Sequence, residues 1–282
     1  MTGTRVAGGA AGGHRRFVPP PRAAVDAAVF EHPLFAGVRG FSELLSGPDW
    51  PTVAELDARL ALPGLRLVEQ DDRLLDDGLH YETRIAHGRI ATRAANWHDL
   101  FNALVWARFT RLKCALNARQ CVHVAAMGPG QRNRAQAALT QFDETGVVVR
   151  VRDEAVLAAW DRHDWKALFA SGWWQQGRIA VDAVFGHALM EQGLLPGRRL
   201  VGKCVVVQGA EDVPCIELVA RAIEQDRILT DPLQLRPLPL AGIPGWYAEQ
   251  DAGLLADADY FRPLRAGRIY PPPLRPLIGD RC

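Results

Sequence analysis

The sequence predicts a helix-rich α+β fold in a single domain, with a few short strands and an extended Pro-rich C-terminal segment. Three observations predict it. Segments of helical period and isolated strand-like runs mix without strict β-α alternation, which argues against a doubly wound sheet. Hydrophobic residues make up 48% of the 282 and charged residues 23%, a globular balance with enough apolar content for a sizeable core. After Asp231 the chain turns Pro-rich, in "LRPLPLAGIPGWY" and "PPPLRP", and is expected to run extended and wrap the body.

The elements follow in order. Residues 1–20 are Gly/Ala-rich, can bury little, and are expected to be a disordered tail; the domain proper spans 21–265, and 266–282 form an extended Pro/Arg-rich tail. A short apolar helix is expected around Ala23–Phe30. A second begins at Asp49 or at Pro51–Thr52, aligns Val53, Leu56 and Leu60 on one face, and stops at Pro63-Gly64. "LRLVEQ" reads as a strand, and "LHYETRIAHGRIATR" as two short strands around a His87-Gly88 hairpin turn. Asn96 is a good N-cap for a helix through Phe109 that resumes after Thr110 to Asn117. "NRAQAALTQF" is another helix, and "DETGVVVRV" is a turn followed by a β-branched strand. "DEAVLAAWDRHDWKALFA" and "GRIAVDAVFGHALMEQGLLPG" read as two helices, "RRLVGKCVVVQG" as a strand, and "VPCIELVARAIEQDRIL" as a helix with Pro in its first turn.

Several classes are disfavoured. No stretch approaches the eighteen or so apolar residues a membrane helix needs, and the start lacks an apolar h-region, so neither a membrane span nor a signal peptide is expected. Cys114, Cys121, Cys204, Cys215 and Cys282 are odd in number and form no CxxC, which points to reduced thiols and a cytoplasmic location. Residues 1–22 and 262–282 each carry a net +4 while the whole chain carries +1, so the body is acidic by seven charges. Nucleic-acid-binding cores present the opposite sign. Only three of 33 basic residues are Lys, and with so much Ala and Gly that bias reads as a GC-rich bacterial genome. No dinucleotide, P-loop, HExxH or GxSxG motif occurs.

The chemistry concentrates in "TRAANWHDLFNALVW". Asp99, Asn102, Trp106, Lys113 and Asn117 recur at spacings of three, four, seven and four, which places them on one face of a continuous helix. A stripe of groups that donate, accept and change charge suits a pocket wall. The same residues also fit a plain structural reading, with Asn96 and Asp99 capping the helix and His98 hydrogen-bonded in the core. Asp143 and Glu144 form a carboxylate pair at a helix-to-strand turn, fit either for metal or acid-base work or for the turn itself. His187 sits among apolar neighbours beside Gly186, which allows a close approach by another element. Arg84 and Arg93 can pair with these acids or hold an anion bidentately. The His98-Asp99 doublet invites comparison with HD-type phosphohydrolases, with His87 and Asp143 as the further ligands; a second doublet, His163-Asp164, on what reads as a solvent-facing helix edge, shows how cheaply the pattern arises.

"TRAANWHDLFNALVWARFTRLKCALNARQ", "ALTQFDETGVV", "FGHALME" and "LPLAGIPGWY" together resemble the DUF3025 family, bacterial proteins of unknown function, over roughly Asp49 to Arg265. Members of that family often carry Pro where this chain has Thr110, which implies a helix break there. The resemblance implies no activity, cofactor or fold.

The leading expectation is a hydrolase acting on an anionic small molecule, with or without a divalent metal. His98 or Glu144 is the candidate general base, Asp99 orients His98, and Asn102 and Lys113 complete the catalytic stripe. Arg84 and Arg93, with Trp97 and Trp106, are the candidate substrate-binding residues. His98, Asp143, Glu144 and His187 are the candidate metal ligands. The alternative is a non-catalytic binding or interaction module whose polar cluster locks the fold and whose Pro-rich end meets a partner.

Overall fold

A computed structural model of the chain describes residues 17–128, 130–209, 214–251 and 253–277. Its helices and strands, in order, are α1 (Ser42–Leu45), α2 (Val53–Leu60), β1 (Arg66–Glu69), α3 (Asp72–Leu75), α4 (Tyr81–Ala86), β2 (Arg89–Thr92), α5 (Trp97–Arg108), α6 (Thr110–Met127) and α7 (Arg134–Thr145). There follow β3 (Gly146–Val151), α8 (Glu154–Asp161), α9 (Trp165–Ala170), β4 (Ile179–Val184), α10 (His187–Gly193), β5 (Val201–Gln208), α11 (Cys215–Glu224) and β6 (Arg236–Pro239). The fold is α+β and helix-rich: 46% is helix and 13% strand, and the strands form two small sheets. No described helix is long and apolar enough to cross a membrane.

The larger sheet has the order β4-β3-β5-β6, with β3 parallel to β5 and antiparallel to β4. Val147, Val148, Val149 and Val151 are buried on both faces, so "GVVVRV" is a central strand covered from both sides. Helix α7 packs on β3 and β5, and α11 packs on β3, β4 and α6. Helix α5 runs through the middle. Leu100, Phe101, Ala103, Leu104, Val105 and Trp106 are all buried, so its polar stripe faces the protein interior rather than solvent. The helix breaks at Phe109 (φ −127°, ψ 42°), and the Thr110 hydroxyl donates back to the Trp106 carbonyl at 2.8 Å. Asn102 on α5 and Lys113 on α6 still meet across that break, their side chains 2.8 Å apart.

Three segments differ from the sequence expectation. Tyr81–Ala86 is a helix, not a strand: His80 Nδ1 accepts from the Glu82 amide and Arg84 and Ile85 are buried. The turn at His87-Gly88 is present, with Gly88 at φ +82°, but β2 then pairs in parallel with β1 instead of closing a hairpin. Ile179–Val184 is a strand, because pairing with β3 outweighs its helical pattern; the helix begins only at His187. The segment 153–170 is two helices broken at His163, which adopts φ +55°. "WDRHDW" is not a solvent-facing edge: the His163 ring bonds the Arg262 carbonyl and the Tyr270 hydroxyl, and Trp165 Nε1 donates to the Arg262 carbonyl.

The extended C-terminal course is as expected from its prolines. β6 joins the sheet, and Leu274 exchanges backbone hydrogen bonds with Val206 and Gln208 at 2.8 Å, so at least that part of 266–282 is docked on the body. The expected N-terminal tail lies outside the described residues up to residue 16. Beyond it the chain is held, with the Pro20 carbonyl accepting from Trp97 Nε1 at 3.1 Å.

Candidate functional site

Helix ends meet around a cavity of about 310 Å³. The Asn96 side chain caps α5 by accepting from the Asp99 amide at 3.1 Å, which places His98 in its first turn. Helix α7 runs without a loop into β3, so Asp143 and Glu144 lie in its last turn. Helix α10 begins at His187, directly after Gly186. A Cβ at Gly186 would lie 2.4 Å from Thr145 Cα and 2.6 Å from the Glu144 carbonyl oxygen. Only glycine lets α10 start against the end of α7, and that contact brings His187 beside Glu144.

His98 Nε2 lies 3.1 Å from His187 Nε2, and His187 Nε2 lies 3.7 Å from Glu144 Oε2. These three atoms are all within 4.8 Å of one another. Each histidine has a carboxylate behind it. His98 Nδ1 bonds Glu191 Oε2 at 3.2 Å, and His187 Nδ1, buried and without a hydrogen-bond partner, faces Asp143 Oδ2 at 4.0 Å.

Behind the histidines lies a polar chain. Lys113 Nζ donates to Asn102 Oδ1 at 2.8 Å and to Asp143 Oδ1 at 2.7 Å, and Asn102 Nδ2 donates to the Tyr81 hydroxyl at 3.0 Å. The Lys113 ammonium also sits 5.1 Å from the Trp106 ring centroid. On the far wall, Asn117 Nδ2 donates to Glu82 Oε2 at 2.7 Å. Arg132 lines the cavity with no hydrogen bond or ion pair among the described residues.

Electrostatics separates these groups. Burial lowers His187 to about 3, so its imidazole is neutral at pH 7. Burial also lowers His98, but the Glu191 hydrogen bond and the charges of Glu144 and Glu191 leave it above its ordinary value. Burial raises Glu144, only partly offset by His98. Burial pushes Asp143 up, yet Lys113 and His187 together hold it below the usual carboxylate range. Glu82 is raised to about 7, chiefly by burial, and therefore carries a proton through much of the neutral range.

Of the sequence-predicted residues, His98, Asp99, Asn102, Lys113, Asp143, Glu144, His187, Arg93 and Trp106 line this cavity. Arg84 does not. It is buried elsewhere, bound to the Leu74 carbonyl and the Asp77 carboxylate, because α4 turns it away from the pocket. Trp97 faces the opposite side of α5, packed against Trp50 and Phe101, and is core rather than a substrate contact. Trp106 is buried and forms part of the pocket wall, with its Nε1 unpartnered. Asp99 does not orient His98. The Arg93 guanidinium engages it through two nitrogens, at 2.7 and 3.0 Å, and the Arg93 amide donates to it as well, so Arg93 is itself committed and Glu191 holds the histidine. Asp143 stands behind His187 rather than with the converging atoms. His87 ends α4 outside the cavity, which dissolves the HD-type pattern. Glu191, Tyr81, Glu82 and Arg132 were not anticipated. Glu191 had a signal, since it follows His187 by four residues on "HALMEQ" and shares its helix face.

No curated protein and no solved structure matches the chain. One family model does match, over residues 65–265. That span covers most of the chain and every residue of the cavity, and the chain belongs to the DUF3025 family, described as proteins of unknown function.

Proposed function

We propose that the protein is a hydrolase acting on a small anionic molecule in this cavity. The observation that carries the reading is the convergence of His98 Nε2, His187 Nε2 and Glu144 Oε2 on one point of a pocket large enough for a small ligand. Water activated at that point attacks an electrophilic carbon or phosphorus; its proton passes to the cluster, and the bond to the leaving group breaks. Glu82, which still carries its proton near neutral pH, gives it to the departing oxygen. Arg132 supplies the uncommitted positive charge that holds the substrate anion. Lys113 and Asn102 position Asp143 and the pocket wall through hydrogen bonds already made.

A second reading, a binding module, is favoured by one observation. Along the edge strand β4 runs a groove of about 1070 Å³, lined by Trp174, Ile216, Ile243 and Trp246. In that reading the polar cluster only locks the fold.

The test is turnover of a panel of chromogenic phosphomonoesters, phosphodiesters and carboxylic esters by wild type, Glu144→Gln and His98→Ala. The hydrolase reading expects one class to be turned over and both variants to lose at least ~100-fold. No turnover of any class, or turnover indifferent to both substitutions, would refute it.

A further inference from the structure

A hydrogen-bond argument sets the tautomer of His98. A carboxylate oxygen accepts and does not donate, so the His98 nitrogen facing Glu191 carries the proton. His187 Nδ1 lies 4.0 Å from Asp143 Oδ2 with no hydrogen-bond partner, so nothing behind that ring sets its tautomer. In the neutral imidazole that leaves His98 Nε2 as a bare lone pair, 3.1 Å from His187 Nε2. A further acceptor, Glu144 Oε2, lies 3.7 Å from His187 Nε2. Three ligand-type atoms thus converge within 4.8 Å of one another, the spacing a bound cation would use.

We infer that His98 Nε2, His187 Nε2 and Glu144 Oε2 are the protein ligands of a divalent first-row transition metal ion of the zinc class. Bonds of about 2.0–2.1 Å from such an ion separate neighbouring ligand atoms by roughly 2.9–3.4 Å, depending on geometry. The 3.1 Å nitrogen separation already lies in that interval. The Glu144 oxygen needs a further few tenths of an ångström at least, and its side chain, 38% exposed, is free to turn. Two imidazoles and one carboxylate suit zinc, iron, cobalt or nickel rather than calcium or magnesium, which prefer all-oxygen shells. The outer carboxylates complete the pattern. Glu191 behind His98 fixes that ring's tautomer and raises its basicity, and Asp143, bonded to Lys113, stands 4.0 Å behind His187. With three protein ligands, the remaining positions open to the cavity, the arrangement of a catalytic rather than a structural ion. The ion shares the pocket of the hydrolytic reading, and the two can fail separately: metal without turnover sinks only the hydrolase, and turnover without metal sinks only the ion.

The rival occupant is a single proton shared between the two rings. The experiment is elemental mass spectrometry on untagged full-length protein purified without chelator, followed by equilibrium dialysis of the stripped protein against zinc and cobalt. The ion predicts about one equivalent of metal per chain, lost in Glu144→Gln and in His98→Ala, and a visible absorption band on cobalt loading. Glu144→Gln preserves shape and so guards against loss through misfolding, with circular dichroism checking each variant. Glu191→Gln leaves all three ligands in place and is expected to weaken binding about 10- to 100-fold. Folded wild type that is metal-free as isolated and takes up neither ion overturns the inference, as does equal binding by wild type and both ligand variants.

Discussion

Replacing Glu82 by Gln removes one titration from the protein and should change how stability depends on pH. In the folded state the Glu82 carboxyl is raised from an ordinary value of 4.5 to about 7, first by burial and then by the Asp143 charge, against the favourable Asn117 hydrogen bond. The folded protein therefore holds this proton more tightly than the unfolded chain does. Stability from the neutral carboxyl is complete below about pH 4.5 and is lost as pH rises toward and through 7. At about 1.4 kcal/mol per unit, a shift of roughly 2.5 units amounts to about 3 kcal/mol by pH 8. Glutamine keeps a carbonyl to accept from Asn117 and carries no charge, so it mimics the protonated form at every pH. Urea unfolding of both proteins in chelator, at pH 4.5, 6 and 8, reads the effect as a difference in which other titrating groups largely cancel. Glu82→Gln is expected to match wild type at pH 4.5 and to exceed it by about 3 kcal/mol at pH 8. Parallel stability curves would show that Glu82 ionises normally, and the argument for it as a proton donor would go with them.

The remaining predictions use other measurements. Trp97→Ala should cost about 3–5 kcal/mol in denaturant unfolding and leave ligand binding in the folded protein unchanged, because Trp97 packs in the core, remote from the cavity. Gly186→Ala should cost about 3 kcal/mol or more, read as a drop in melting temperature, and should loosen the His187–Glu144 contact, since its new methyl collides with backbone that cannot yield. Arg132→Ala should leave the melting temperature within a degree or two but weaken inhibition by small anions about tenfold, seen as a change in inhibition constant. Lys113→Met should cost about 3–5 kcal/mol in urea unfolding, because it strands the Asp143 carboxylate without its ion-pair partner.

The helices that carry the site were legible because local signals and packing agreed. Asn96 capping and the spacing of Asp99, Asn102 and Trp106 are written in residues near one another in the chain, whereas the turn expected at Asp143–Gly146 is absent and α7 runs through Thr145. The strand β4 was not legible. "IAVDAV" has a pattern that serves a helix or a strand, and what decides is β3, some thirty residues earlier, with a bulge at Asp182 that no local rule announces. Reading Tyr81–Ala86 as a strand had a larger consequence, because it hid two cavity residues. His80 caps α4 through its ring nitrogen, an unusual cap that propensity does not flag, and Tyr81 and Glu82 entered the site with that helix. The arginines show the limit of motif reading. Both read as substrate-binding residues that could alternatively pair with Asp99, Asp143 or Glu144; tertiary placement gives Arg93 to Asp99 and Arg84 to Asp77, a partner outside those expectations, and Arg132, with no ion pair among the described residues, stands in no motif.

The cavity divides into a satisfied half and an unsatisfied half, and that division bears on what the cluster is for. Tyr81, Asn102, Lys113 and Asp143 bond in series, and Arg93 with Asp99 closes a second pair, so most of the stripe on α5 has its partners within the protein. A polar cluster serving only to lock the fold would be satisfied throughout, because an unpaired buried polar atom costs about 1–3 kcal/mol. The other half does not meet that condition. His187 Nδ1 and Trp106 Nε1 are buried without a partner, two imidazole nitrogens face each other, and Glu144 stays partly open to the cavity. These groups lie on the ends of α5, α7 and α10, while the satisfied ones fill the space behind them. The satisfied network fixes the helix ends and so keeps the unsatisfied atoms converged, the arrangement that the proposed hydrolytic reading requires.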